Sequence, residues 1–311
     1  MKEAKNMNDS KVGTESSADF DPADSFRRPR WASAVSIILC GLFLSFTAAA
    51  DGTRLLRQPT ISDTHIAFVY AGDIWVSRLD QANALRLTST AAVESEPHFS
   101  PDGKTIAFTS NRSGSPSVYT VPVEGGPARR LSWHPAAVLT RGWTPDGKFI
   151  LFATDRGTAP TTYNRLWTVS ADGGPPSLLT RQWGHNGWFS PGGDRIVIDR
   201  MDRWDVEWRA YRGGQNTPLV ILDLNDKSEI QLPNDSSTDI EPVWIDDTIY
   251  FLSDRDWVSN VWAWSVTSGA LRQVTEFKGA DVKQLAGNSR VLVFEREGKL
   301  FSLDPESGQS T

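Results

Sequence analysis

The densest run of chemically capable side chains is Met201-Asp202-Arg203-Trp204-Asp205-Val206-Glu207-Trp208-Arg209-Ala210-Tyr211-Arg212-Gly213-Gly214. Aromatic rings alternate there with guanidinium and carboxylate groups, a mixture suited to a buried contact with another protein or to a rim that meets a peptide. A guanidinium of this run could pair with a peptide carboxylate. Elsewhere the chemistry is sparse. His65, His98, His134 and His185 have no spacing that would gather them on one metal, and there is no H-E-x-x-H pair. The chain has no G-x-S-x-G elbow and no phosphate-binding glycine loop. Asp254-Arg255-Asp256 reads as a solvated charged turn. Cys40 is the single cysteine, so an intrachain disulfide and a Cys-based zinc site are excluded. No catalytic residue, metal or cofactor is assigned.

The elements that must carry these groups follow from composition and repeats. The 311 residues hold 38 acidic and 32 basic side chains, for a net charge of −6, which argues against a nucleic-acid surface. Residues 1–26 are polar and read as a disordered leader. Residues 27–50 bring Arg27, Arg28 and Arg30, an apolar run from Ala32 to Phe46, and Ala48-Ala49-Ala50. That order is a basic region, a hydrophobic region and a small-residue cleavage site. The run falls short of the roughly 20 residues that span a bilayer, which favours a cleaved export signal over an anchor. The expected location is periplasmic or extracellular, with a membrane link only through an uncleaved leader.

From residue 52 the sequence repeats. Phe99-Ser100-Pro101-Asp102-Gly103-Lys104 returns as Trp143-Thr144-Pro145-Asp146-Gly147-Lys148, as Phe189-Ser190-Pro191-Gly192-Gly193-Asp194, and in degenerate form as Trp244-Ile245-Asp246-Asp247. Proline presets the turn and glycine accepts the positive φ that reverses it, so each copy is a hairpin between two buried strands. Equivalent residues Phe68, Phe108, Phe152, Ile198, Phe251 and Phe294 are 40, 44, 46, 53 and 43 residues apart, near the length of one four-stranded propeller blade. A third strand carries Trp75, Tyr119, Trp167, Val220, Trp262 and Phe301, and a short fourth edge strand follows, as in Leu85-Arg86-Leu87-Thr88. The fold is therefore all-β, a six-bladed β-propeller over 52–311 with blades beginning near 59, 96, 141, 187, 241 and 281. Blade six is expected to have strands near 281–285, 290–295 and 299–304 and to lack its fourth, so the chain reads as a fragment cut inside that blade.

The repeat unit resembles that of TolB-like propellers. The Glu207-Trp208-Arg209-Ala210-Tyr211-Arg212-Gly213-Gly214 segment, with Leu55-Leu56-Arg57-Gln58-Pro59 and Ile249-Tyr250-Phe251-Leu252-Ser253-Asp254-Arg255-Asp256, is similar to the propeller that opens tricorn-type proteases. That resemblance covers Gly52 to Thr311. It implies a large oligomeric serine peptidase as parent, with PDZ-like and catalytic portions downstream that this chain lacks. The chain alone would then be inactive, a scaffold and peptide gate whose partners are the downstream domains or neighbouring subunits. Family members also hold a peptide's carboxylate with paired arginines, and here the matching stretch offers only Arg141. Two alternatives are a free-standing TolB-like interaction propeller and the propeller of a prolyl-oligopeptidase-type hydrolase. Within the 201–217 insertion, Trp208, Arg209, Tyr211 and Arg212 are the expected contacts, with an interface preferred over a peptide site and a self-packed cap. Gly213 and Gly214 are expected to supply dihedrals that return the chain to its third strand.

Export by the Arg27–Ala50 pattern predicts a mature N-terminus at Asp51. Sequencing the exported protein tests it, and material retaining Met1 in the cytoplasm would contradict it.

Overall fold

A computed structural model describes residues 55–200, 210–214 and 216–311. The leader and signal expectations for 1–26 and 27–50 lie outside the described residues, as do Trp208 and Arg209. All regular structure among the described residues is β. Six sheets follow one another along the chain, and each is built from consecutive strands in spatial order. Blade one comprises Arg57–Ile61, His65–Tyr70, Asp73–Arg78 and Ala84–Arg86. Blade two comprises Glu94–Phe99, Thr105–Ser110, Ser117–Pro122 and Arg129–Arg130. Blade three has Val138–Trp143, Phe149–Thr154, Arg165–Ser170 and Ser177–Leu178. Blade four has Asn186–Phe189, Arg195–Asp199, Val220–Asp223 and Glu229–Gln231. Blade five has Asp239–Ile245, Thr248–Ser253, Asn260–Ser265 and Leu271–Gln273. Blade six has Lys283–Gly287, Leu292–Arg296 and Lys299–Leu303.

The register confirms the repeat residue by residue. Phe68 lies opposite Trp75, Phe108 opposite Tyr119, Phe152 opposite Trp167, Ile198 opposite Val220, Phe251 opposite Trp262 and Phe294 opposite Phe301. These pairs place large side chains where neighbouring sheets press together. Each apolar cluster straddles two adjacent blades: Ile106 and Phe108 pack with Ala67 and Ile74, Val138 and Phe152 with Ala107 and Val118, and Leu292 and Phe294 with Val243 and Val261. At about 25 cal/mol per Å² of apolar surface removed from water, these inter-sheet layers are the main stabilising term.

Local chemistry closes each blade at both ends. In the first hairpin of blade two, Asp102 Oδ1 accepts from the Ser100 hydroxyl at 2.6 Å and from Lys104 N at 3.1 Å, while Gly103 takes φ 69°. Blade three repeats this with Thr144, Asp146 and Lys148. Hydrogen bonding by Ser100 and Thr144 holds both carboxyls below the usual carboxylate range. At the outer edge, Thr88, Ser132 and Thr275 leave the fourth strand instead of extending it. Their hydroxyls accept from Ile74 N, Val118 N and Val261 N at 2.9–3.0 Å, satisfying backbone donors that the ladder leaves over.

Strand direction alternates, so the Ser-Pro-Asp-Gly turns share one end of the ring, the turn face. The links between blades and the loops joining second to third strands share the other, the link face. Blade six departs from expectation at two points. Its first strand begins at Lys283 rather than 281, because Val282 N is already bonded to Ser259 O in blade five. Its outer edge is also begun: Ser310 pairs with Leu303, and Ser302 and Thr311 exchange backbone hydrogen bonds of 2.9 Å.

Thr275→Val should orphan the buried Val261 N–H and lower stability by about 1–2 kcal/mol, whereas Thr275→Ser keeps the acceptor and should restore it. Urea unfolding of the three proteins measures the difference.

Candidate functional site: the axial channel and the blade-four insertion

The first strands line the axis, and five of them break register at the same place. The bulges lie at Gln58-Pro59, Glu96-Pro97, Thr140-Arg141, Glu241-Pro242 and Gln284-Leu285. Blade four alone pairs one-for-one there, Asn186 with Asp199 and Gly187 with Ile198. Gln58, Glu96, Glu241 and Gln284 take φ of 50°, 54°, 52° and 56°. A non-glycine residue in this left-handed region is strained by roughly 1–2 kcal/mol. The bulge turns a polar side chain toward the axis, where those of Gln58, Glu96, Arg141 and Glu241 bond a neighbouring blade.

The result is a polar girdle. Gln58 Nε2 donates to Glu96 Oε1 at 3.0 Å and Glu96 N donates to Gln58 Oε1 at 2.9 Å, joining blades one and two. Arg141 Nη1 donates to Glu96 Oε2 at 2.8 Å, joining two and three. Arg141 Nε and Nη2 reach His185 O and Nε2, each at 2.8 Å, joining three and four. Glu241 N donates to Asp199 Oδ2 at 3.3 Å, and Glu241 Oε2 accepts from Leu285 N at 2.7 Å, which carries the chain of contacts through blades five and six.

Two cavities open along the axis. One of about 580 Å³ lies at the turn face among Phe99, Trp143, Trp188, Trp244, Asp63 and Asn288. The other, about 530 Å³, is polar and bounded by Gln58, Glu96, Asn186, Glu241, Gln284 and Glu295. Arg141 and His98 border both, so the guanidinium stands where the cavities meet. Burial pushes the Glu295 carboxyl up, opposed by Arg57 and Lys283. The described residues contain no group of three or more His, Cys, Asp or Glu that could hold a metal ion.

Arg141 thus faces the channel as a carboxylate anchor would, but its side chain is 8% exposed and already paired with Glu96. The insertion residues do something else. Arg212 Nη1 donates to Asp254 Oδ1 at 3.0 Å and Nη2 to Asp254 O at 2.8 Å, with the guanidinium 4.7 Å from the centre of the Trp257 ring. Arg212 therefore ties the end of the insertion to blade five of the same propeller. Tyr211 accepts from Arg212 Nη1 through its carbonyl at 3.1 Å. Neither Gly213 nor Gly214 takes a positive φ. A Cβ at Gly213 would meet the end of the Tyr211 side chain, which would have to move, and Gly214 has open space. Sequence reasoning passed over His98, His185, Glu96 and Gln58. Their trace in the sequence is the Gln-Pro and Glu-Pro dipeptides at equivalent blade positions.

Burial, with Arg141 adding to it, lowers the His98 pKa to about 3 and the His185 pKa to about 2. Unfolded histidines titrate near 6.5, so below that pH the unfolded chain takes up protons that the native state refuses. Stability is therefore full above about pH 6.5 and falls as pH drops toward the folded values, by at most about 1.4 kcal/mol per pH unit for each histidine. Thermal midpoints measured between about pH 6.5 and 4 should show this slope, and His98→Gln with His185→Gln should flatten it.

Comparison with known proteins places this geometry. Residues 53–309 match the family model described as the tricorn protease N-terminal beta propeller domain. Tricorn protease homolog 1 of Streptomyces coelicolor is 32% identical over 258 residues, covering 81% of this chain and 24% of the relative. The crystal structure of the tricorn protease superposes with a TM-score of 0.75 at 24% identity, over 84% of this chain and 26% of that one. The Tol-Pal system protein TolB of Bordetella pertussis is 45% identical over 47 residues, 15% of this chain and 11% of the relative. The chain spans about a quarter of the length of the tricorn relatives it matches. On the extent of the family match and the relative's identity, the chain belongs to the tricorn protease N-terminal β-propeller family.

Proposed function

We propose that this chain is the noncatalytic propeller portion of an exported tricorn-type serine peptidase, where it acts as a scaffold for the rest of the parent and as a gate for short peptides. The observation that carries the reading is the family match across the whole propeller combined with an axial channel whose two cavities Arg141 borders. The cavity at the turn face offers aromatic walls for side chains. Beyond it, a peptide carboxylate meets a guanidinium that Glu96 already neutralises, so passage competes with an internal ion pair. The sequence match to TolB of Bordetella pertussis spans 47 residues, about one blade, which supports a shared repeat unit. Export rests on the Arg27–Ala50 pattern.

The purified chain should hydrolyse no peptide. Short peptides with a free carboxyl terminus should quench tryptophan fluorescence, and Glu96→Gln, which leaves the Arg141 charge uncompensated, should tighten their binding about tenfold, the scale of one charge-assisted hydrogen bond. Amidated peptides should not gain. Absence of binding by wild type and variant alike would remove the gate and leave only the scaffold.

A further inference from the structure

The link face has an uneven charge that neither the channel nor the family relation uses. Its three strongly exposed tryptophans among the described residues, Trp133, Trp183 and Trp257, are 63%, 54% and 64% exposed. Around blade three, Arg130, Arg156, Arg165 and Arg181 meet this face, and among the described residues none of them pairs with a carboxylate. Arg130, Arg156 and Arg165 lie against aromatic rings, and Arg130 also donates to Ser132 O and Ser117 Oγ. Arg130 lies 5.8 Å from the Trp133 ring centre, Arg156 4.9 Å from Trp167 and Arg165 5.0 Å from Tyr163, whose ring packs 5.2 Å from Trp183. The loops between them are rich in Ser, Thr, Ala and Pro, with Asp155 the acid in this sector.

Across the ring the sign reverses. Asp235, Asp256, Glu276 and Glu297, in the links and loops of blades five and six, are exposed, offset by Lys278 3.6 Å from Asp256 and by Arg296 3.7 Å from Glu297. Trp257 stands beside Asp256 in this acidic sector. Among the described residues, one face thus carries a basic, aromatic half and an acidic half on opposed blades. A two-fold axis lying in that face would set the basic half of one molecule against the acidic half of another at both ends of the contact, the self-complementarity that an isologous interface requires. Aromatic and arginine side chains are the usual anchors of such contacts.

We propose that the propeller self-associates through its link face, with a second copy of this chain as the occupant: Arg156 and Arg181 of one molecule meet Asp256 and Glu276 of the other, and Trp257 is buried between the basic-half aromatics. The proposal goes beyond the peptidase reading and does not depend on it, since peptide binding can fail with self-association intact.

Sedimentation velocity on the purified full chain tests it. A monomer–dimer equilibrium is expected, shifting toward monomer as salt rises because exposed pairs are screened. Arg156→Glu with Arg181→Glu should weaken association at least tenfold, as should Asp256→Lys with Glu276→Lys in a separate protein. Mixing the two variants should restore a dimer, because the reversed signs match again. Trp257→Ser should also weaken it, and circular dichroism verifies that each variant is folded; Arg181→Glu alone, at an exposed position, serves if the double variant is not. A wild type that stays monomeric at every concentration overturns the proposal. So does a dimer indifferent to these substitutions, or a mixture that restores nothing.

Discussion

Each sheet of this propeller comes from one continuous stretch of chain, and no strand among the described residues is shared between blades. Adjacency must therefore be enforced by contacts that cross from blade to blade. Near the axis these are hydrogen bonds from bulged first strands, and the arrangement depends on residues that hold an unfavourable backbone conformation. Gln58, Glu96, Glu241 and Gln284 sit at positive φ. For the first three, the strain is offset because the side chain or the turned N–H reaches a partner in the neighbouring blade.

The girdle is not uniform. Between blades two, three and four it is ionic and dense, centred on Arg141, which replaces the proline found at the second bulge position of blades one, two and five. The joint between blades six and one differs. Its apolar cluster has three buried members, Ile61, Ala286 and Val293. The crossing contacts there include Leu56 N to Gly298 O at 3.1 Å and an exposed Arg290–Asp63 pair at 2.9 Å. Surface pairs of this kind contribute little, about 0–1 kcal/mol. The joint where the two ends of the domain meet is thus held by the smallest core and the most solvated ion pair.

Within blades, a second recurring device links first strand, loop and third strand. Arg112 pairs with the buried Glu94 and lies 4.9 Å from the Tyr119 ring centre; Arg255 pairs with Asp239 at 2.9 Å and lies 4.8 Å from Trp262. Blade three keeps the stack of Arg156 on Trp167 but has Val138 where the acid would be. The same arginine that is neutralised inside blades two and five is left with its charge at the link face in blade three. A structural motif with one partner removed thereby becomes a surface feature.

The sequence by itself determined the blade count, the hairpin turns and the register partners, because turn residues and the two-residue period of strands are local properties that repeat every forty to fifty residues. Phe68 with Trp75 and Phe251 with Trp262 were legible for that reason. It also exposed the 201–217 insertion as a break in the period, but not what Arg212 binds, since Asp254 and Trp257 lie more than forty residues away and only the packing of blade five against blade four brings them together. Arg141 stood out as a lone arginine, while its partners Glu96 and His185 are each more than forty residues distant in opposite directions. Which polar residues meet at the axis was decided by the tertiary structure, because a one-residue bulge turns a side chain from the sheet toward the channel and leaves only a Gln-Pro or Glu-Pro pair to mark it. The opposed charges of the link face were likewise fixed by closure, which sets blade three across from blades five and six.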